Sequence, residues 1–219
     1  HSGGDRSREQ LRIARDSVAA LVGADPSQII FTSGGTEANN QALLSYSHAS
    51  RKHVVTTKIE HSSILKTCER IEQEGGTVTY LDVNEKGQIS LEALAEAITP
   101  ETGVVSIQWV NNETGVVLPL HEIGKICQKK QVPFHSDMAQ ALGKIQIDLA
   151  VLSFVDAATF TAHKIHGPQG VGALYLPKRS HLRPLLFGGD QESLARAGTE
   201  NVPGIVGFGV AAKLRFDRF

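Results

Sequence analysis

Apolar positions along the chain switch repeatedly between helical and strand spacing, and that alternation sets the architecture. Between residues 8 and 22, Leu11, Ile13, Ala14, Val18, Leu21 and Val22 recur on one helical face and predict an amphipathic helix. The next run, Gln28 to Thr32, is short and β-rich and stops at Ser33-Gly34-Gly35, which predicts a strand. The same reading carries down the chain. Helices are expected over 36–45, 62–73, 91–98, 120–130 and 203–214, and strands over 53–57, 77–81, 103–110, 132–136, 155–161 and 172–176. Strands spaced by helices of this length imply right-handed crossovers and a mostly parallel sheet covered on both faces. The link from 161 to 172 is short and lacks a clear helix, so one antiparallel strand is expected there. The fold class is α/β.

Composition narrows the function classes. Hydrophobic residues make up 41% of the 219 positions and charged residues 21%, an ordinary globular balance that excludes a disordered chain. At this length folding removes roughly 70% of the extended-chain surface from water, enough for a core without covalent staples. The chain carries 22 Lys and Arg against 23 Asp and Glu, so it has no basic excess for nucleic acid or an anionic membrane. No apolar run approaches the ~20 residues of a membrane helix, and the start has no signal-peptide pattern. Two cysteines, Cys68 and Cys127, make no disulfide framework, which favours a reducing, cytoplasm-like compartment. The chain begins at His1 instead of Met, so a processed or excised piece is expected.

Open α/β sheets bind ligands beyond the carboxyl ends of their strands, so the residues that follow each strand carry the chemistry. After the first strand comes Ser33-Gly34-Gly35-Thr36-Glu37, leading into a helix whose N-terminus favours an anion. Later strand ends carry Glu60-His61, then Asn111-Asn112-Glu113-Thr114-Gly115, then His135-Ser136-Asp137-Met138-Ala139-Gln140, and lastly Thr161-Ala162-His163-Lys164. Each alone reads as structure: a capping turn, a satisfied histidine, a polar turn. Together they bring hydroxyls, a helix N-terminus, an aspartate and a lysine to one edge of one sheet. Pyridoxal phosphate needs that set: a lysine for its aldehyde, an acid against its ring nitrogen, and donors for its phosphate. A metal-dependent hydrolase built on His61, His135, His163 and His166 is the poorer alternative, because no ligand spacing supports it and Lys164 goes unused.

The segments IIFTSGGTEANN, EHSSILKTC, VNNETGVV, HSDMAQALGKIQIDL, TAHKIHGPQGVGALY and RAGTENVPGIVG follow one another in the order seen in NifS/IscS-type cysteine desulfurases. The chain resembles that family; selenocysteine lyases share most of the motifs, and a catalytically incomplete binding or scaffold fragment of the same fold is the other alternative. The resemblance implies the large domain of a fold-type-I pyridoxal 5′-phosphate transferase, with one antiparallel strand in its sheet. It implies that Lys164 forms the Schiff base and shuttles the substrate's α-proton, with His61 stacked on the ring and assisting. It implies Asp137 at the pyridine nitrogen, and Asn112 and Gln140 around the ring oxygen. Gly35, Thr36, Thr161 and His163 are implied at the phosphate. Thr199 matches a residue that reaches the phosphate of a neighbouring subunit, which implies a homodimer. The implied substrate is L-cysteine or selenocysteine, the product side needs a sulfur-acceptor or scaffold protein, and the implied compartment is cytoplasm or an organellar matrix. No metal is expected.

Departures from the family pattern carry expectations of their own. Thr161-Ala162 stands where Ser-Gly is usual, keeping the hydroxyl. Met138 replaces a smaller residue and is expected to crowd the site. In 191–196 Arg196 is kept, but Ser193 stands where an arginine is usual. Family members are longer, so residues 1–219 are expected to form the cofactor-binding domain alone, lacking an N-terminal segment and the C-terminal domain with its sulfur-accepting cysteine. Cys68 and Cys127 fall on core-like helix faces and read as inert thiols.

Overall fold

The computed structural model describes residues 2–47, 51–177 and 183–219. Its helices are α1 (Ser2–Val22), α2 (Gly35–Tyr46), α3 (Ser62–Gln73), α4 (Leu91–Ala97), α5 (Leu120–Lys130) and α6 (Val202–Phe216). Its strands are β1 (Ile29–Thr32), β2 (His53–Thr57), β3 (Thr77–Leu81), β4 (Thr102–Ser106), β5 (Phe134–Asp137), β6 (Ala157–Thr161) and β7 (Gly172–Tyr175). They form one seven-stranded sheet in the order β1-β7-β6-β5-β4-β2-β3. β7 runs antiparallel to both its neighbours and the remaining pairs are parallel.

Every strand except the edge strand β3 is buried along its whole length, as expected of a sheet covered on both faces. One core layer joins α1, α4, α5 and α6 to one face through Val18, Leu94, Ile123 and Phe208. The other joins α2 and α3 to the opposite face through Ala38, Leu43, Ile64 and Cys68. No described helix is long and apolar enough to cross a membrane.

Several boundaries differ from the sequence expectation for local reasons. α1 starts six residues early, because Gly3 and Gly4 hide a helical start whose solvent face is tied by Arg8–Asp5 and Arg12–Glu9 ion pairs. β4 stops at Ser106 instead of 110. The backbone still donates to β5 from Ile107 and Trp109, but Val110 pairs back with Val117 and turns the chain out of the sheet. Pro133 and Val155 fall outside β5 and β6, whose paired residues begin at Phe134 and Ala157.

One close approach positions the ligand-binding edge. A Cβ on Gly172 would sit 2.7 Å from the Gly34 carbonyl carbon and the Phe160 oxygen, so only glycine lets β7 pass under the turn that launches α2. Gly34 itself caps α2 with φ +155, a backbone angle that residues with side chains rarely adopt.

Candidate active site

The parallel strands β1, β2, β4, β5 and β6 end along one edge of the sheet, and a cavity of about 170 Å³ opens there. Gly35, Thr36, His61, Asn112, Asp137, Gln140, Thr161, His163 and Lys164 all line it. Asn39, Ser63, Gln108, Val110 and Ala139 line it as well.

At one end stands the N-terminus of α2. Its cap, Gly34, offers no side-chain hydrogen bond, so first-turn N–H groups are left for a ligand. Thr36 lies inside the first turn and is not the cap. Thr161 Oγ1 and His163 Nδ1 lie 2.9 Å apart beside it. Burial and the Lys164 charge hold the His163 imidazole below its usual range.

At the other end, Asp137 closes β5. Burial raises its carboxyl above the usual range, opposed by the Asn39 amide (2.8 Å), the Ala139 N–H (3.0 Å) and the charges of His61 and Lys164. Met138, the next residue, points the other way and is fully buried in the core. The expected crowding does not occur, because successive side chains leave an extended backbone on opposite sides.

His61 caps α3, its Nδ1 accepting the Ser63 N–H at 3.1 Å with Ser63 Oγ 2.8 Å away. The capping role and the cavity-facing role belong to one side chain. Behind it, Glu60 is buried, accepts from Thr57 Oγ1 (2.8 Å) and from Gln108 N–H (3.1 Å to each oxygen), and is pushed up by burial to about 8. It ties the β2 and β4 loop ends together. Asn111 shapes the neighbouring turn: its Oδ1 accepts from the Glu113 and Thr114 N–H groups, which turns Asn112 to the cavity. Lys144 Nζ donates to the Gln140 carbonyl at 3.1 Å and so steadies Gln140.

Thr199 lies outside this cavity, in a second cleft with Thr32, Ser33, Glu192 and Arg196. Arg196 pairs with Glu37 at 2.9 Å. Burial alone would raise Glu37, but hydrogen bonds from Arg196 and Ser33 outweigh it and hold the carboxyl low.

Of the four histidines that a metal site would need, His61 and His163 line the cavity, and His135 and His166 do not. His135 is buried between Ser106 Oγ (2.9 Å) and Thr159 Oγ1 (3.0 Å), and burial pushes it down to about 3, so it stays neutral. Among the described residues no three His, Cys, Asp or Glu side chains are arranged to hold a metal ion. Cys68 and Cys127 are fully buried, and burial pushes both thiols up to about 12.

Sequence reasoning passed over Asn39, Ser63 and Gln108. Asn39 had a usable signal: it lies four residues after Gly35 on α2 and therefore on the same face. Gln108 had none, since it follows β4 in a segment read as strand.

The donor set fits pyridoxal phosphate, with an open helix N-terminus and hydroxyls for an anion at one end and a buried carboxylate for a ring N–H at the other. Residues 1–217 match the model of the aminotransferase class-V family. A cysteine desulfurase of Nostoc sp. is 47% identical over 216 residues, 98% of this chain and 54% of that protein. A mitochondrial cysteine desulfurase of Arabidopsis thaliana is 48% identical over 219 residues, 98% of this chain and 48% of that protein. The chain thus spans about half the length of the curated relatives it matches. A solved structure of SspA in complex with cysteine superposes with TM-score 0.93 at 39% identity, over 97% of this chain and 62% of that one. A NifS-like protein superposes with TM-score 0.95 at 38% identity, over all of this chain and 61% of the other. In sequence, sheet order and the residues gathered at the strand ends, this chain belongs to the aminotransferase class-V family.

Proposed function

We propose that residues 1–219 are the cofactor-binding large domain of a cysteine desulfurase, which removes sulfur from L-cysteine and leaves L-alanine. The observation that carries this reading is the meeting of Lys164, Asp137, His61 and the open N-terminus of α2 around one cavity. The names of the relatives favour cysteine over selenocysteine as substrate.

In this reading Gly35, Thr36, Thr161 and His163 hold the phosphate of pyridoxal 5′-phosphate, with Thr199 of a second copy completing it in a homodimer. Asp137 would hold the ring nitrogen and keep a proton there, Asn112 and Gln140 would hold the ring oxygen, and His61 would stack on the ring. When bound, the cofactor supplies an electron sink that makes the substrate's α-hydrogen removable. Lys164 Nζ would hold the cofactor through its aldehyde and, when free, would move the substrate's α-proton. His61 would assist that proton transfer.

The sulfur is then taken by an enzyme thiolate. Cys68 and Cys127 are buried and stay protonated, so that thiol belongs to the length of the relatives that this chain does not span. The sulfur passes on to an acceptor or scaffold protein, in the cytoplasm or an organellar matrix.

The test is to load the purified protein with pyridoxal 5′-phosphate, reduce with borohydride and map the modified peptide. A pyridoxyl group on Lys164 supports the reading. Cofactor that is never retained, or a label on another lysine, overturns it.

A further inference from the structure

Asn39 sits between the two ends of the site. One proton of its Nδ2 amide goes to Asp137 Oδ2 at 2.8 Å and the other to Ser63 Oγ at 2.8 Å. Its Oδ1 is buried and meets no donor among the described residues, so the whole hydrogen-bonding capacity of the side chain is on the amide side. Asp137 Oδ1 is taken by the Ala139 N–H, so the carboxylate is held on both oxygens.

Direction follows from the donors. The Ser63 N–H can only donate, so His61 Nδ1 is an acceptor. Ser63 Oγ already accepts from Asn39, so its own proton goes to His61 Nδ1 at 2.8 Å. The neutral His61 ring therefore carries its proton on Nε2. These groups come from three elements: Asn39 from α2, His61 and Ser63 from the cap and first turn of α3, and Asp137 from β5.

We propose that Asn39 is a positioning residue, clamping the Asp137 carboxylate for a ring nitrogen while aiming the Ser63 hydroxyl at His61 Nδ1. This deepens the cofactor reading above and rests on it. Asn39 touches no reacting atom in this role; it makes the two residues that do, Asp137 and His61, share one amide. Removing the amide leaves Asp137 held by the Ala139 N–H alone and the Ser63 hydroxyl without the donor that orients it.

The test compares pyridoxal 5′-phosphate with 1-deazapyridoxal 5′-phosphate, which has carbon in place of the ring nitrogen. The wild-type protein should prefer the natural cofactor. Asn39→Ala should narrow that preference about tenfold, the scale of a charge-assisted hydrogen bond. Asn39→Leu, which keeps bulk without donors, should do the same. A purely structural role would weaken both ligands alike, or be rescued by Leu, and either result overturns the proposal. Imidazole ¹⁵N spectra of the unloaded protein test the other arm. Asn39→Ala should move the His61 Nδ1 resonance towards that of a less hydrogen-bonded acceptor, and Ser63→Ala should move it further. An Nδ1 signal unmoved by Asn39→Ala overturns the shared-amide claim. If wild-type protein binds neither ligand, the cofactor reading fails, while the ¹⁵N spectra still decide this arm.

Discussion

The Arg15 guanidinium grips the Glu192 carboxylate through two hydrogen bonds of 2.6 and 2.8 Å, across 177 residues of sequence. Glu192 also accepts the Phe31 N–H at 2.9 Å, and Arg15 lies 4.7 Å over the Phe31 ring. The pair pins the segment carrying Arg196 and Thr199 to α1 and β1. Arg15→Met keeps the packing on Phe31 but removes the two hydrogen bonds and the charge that Arg15 brings to the buried Glu192 carboxylate. We expect a loss of about 3 kcal/mol of stability in urea unfolding; an unchanged midpoint would refute the anchoring role.

The same segment stores strain next to its anchor. Glu192, Ser193 and Leu194 have φ values of 48, 56 and 69, three successive left-handed residues with no glycine among them. Ser193 is exposed, so its side chain contributes little to set against that geometry. Ser193→Gly should stabilise the protein by about 1 kcal/mol. A lower melting temperature in calorimetry would contradict this.

How far the sequence reaches is clear from these residues. The order of elements, the antiparallel β7 and the nine cavity residues follow from periodicity, strand-end position and motif resemblance, all of which are local in sequence. Arg15–Glu192, Asn39–Asp137 and Glu60–Gln108 are not local. Each joins segments whose distance apart only the folded sheet defines, and no spacing rule announces them. Met138 shows the reverse error, where a residue next to a functional one was read as facing the same way.

Glu60 gives a pH signature. Burial raises its carboxyl from 4.5 to about 8, so between those values the folded state holds a proton that the unfolded chain has lost. Stability then falls as pH rises through that window. Unfolding midpoints should drop between pH 5 and pH 8, and Glu60→Gln, nearly the same shape and without a titrating proton, should flatten the dependence. An identical pH profile in the variant would mean that Glu60 is ionised throughout.

Asp137→Asn keeps the shape of the side chain that closes β5 but removes its charge and turns an acceptor into a donor facing the Asn39 amide. Folding should survive. Exchange of the cysteine α-hydrogen in deuterated water, measured on cofactor-loaded protein, should fall at least tenfold. Exchange at the wild-type rate would remove Asp137 from the ring nitrogen.

The two thiols make the final prediction. Cys68 lies in the layer between α2, α3 and the sheet, and Cys127 in the layer on the opposite face. Both are fully buried, and burial pushes each up to about 12. A thiol attacks sulfur only as thiolate, and at neutral pH the fraction ionised here would be on the order of one in 10⁵. Neither should react with a disulfide reagent until denaturant opens the core, and both should then titrate together. With cofactor and L-cysteine added, residues 1–219 alone should release no sulfide, even under strong reductant. Sulfide formed at an enzymatic rate, and lost on Cys68→Ser or Cys127→Ser, would put the sulfur-accepting thiol inside this chain and overturn its assignment to the remaining length of the relatives.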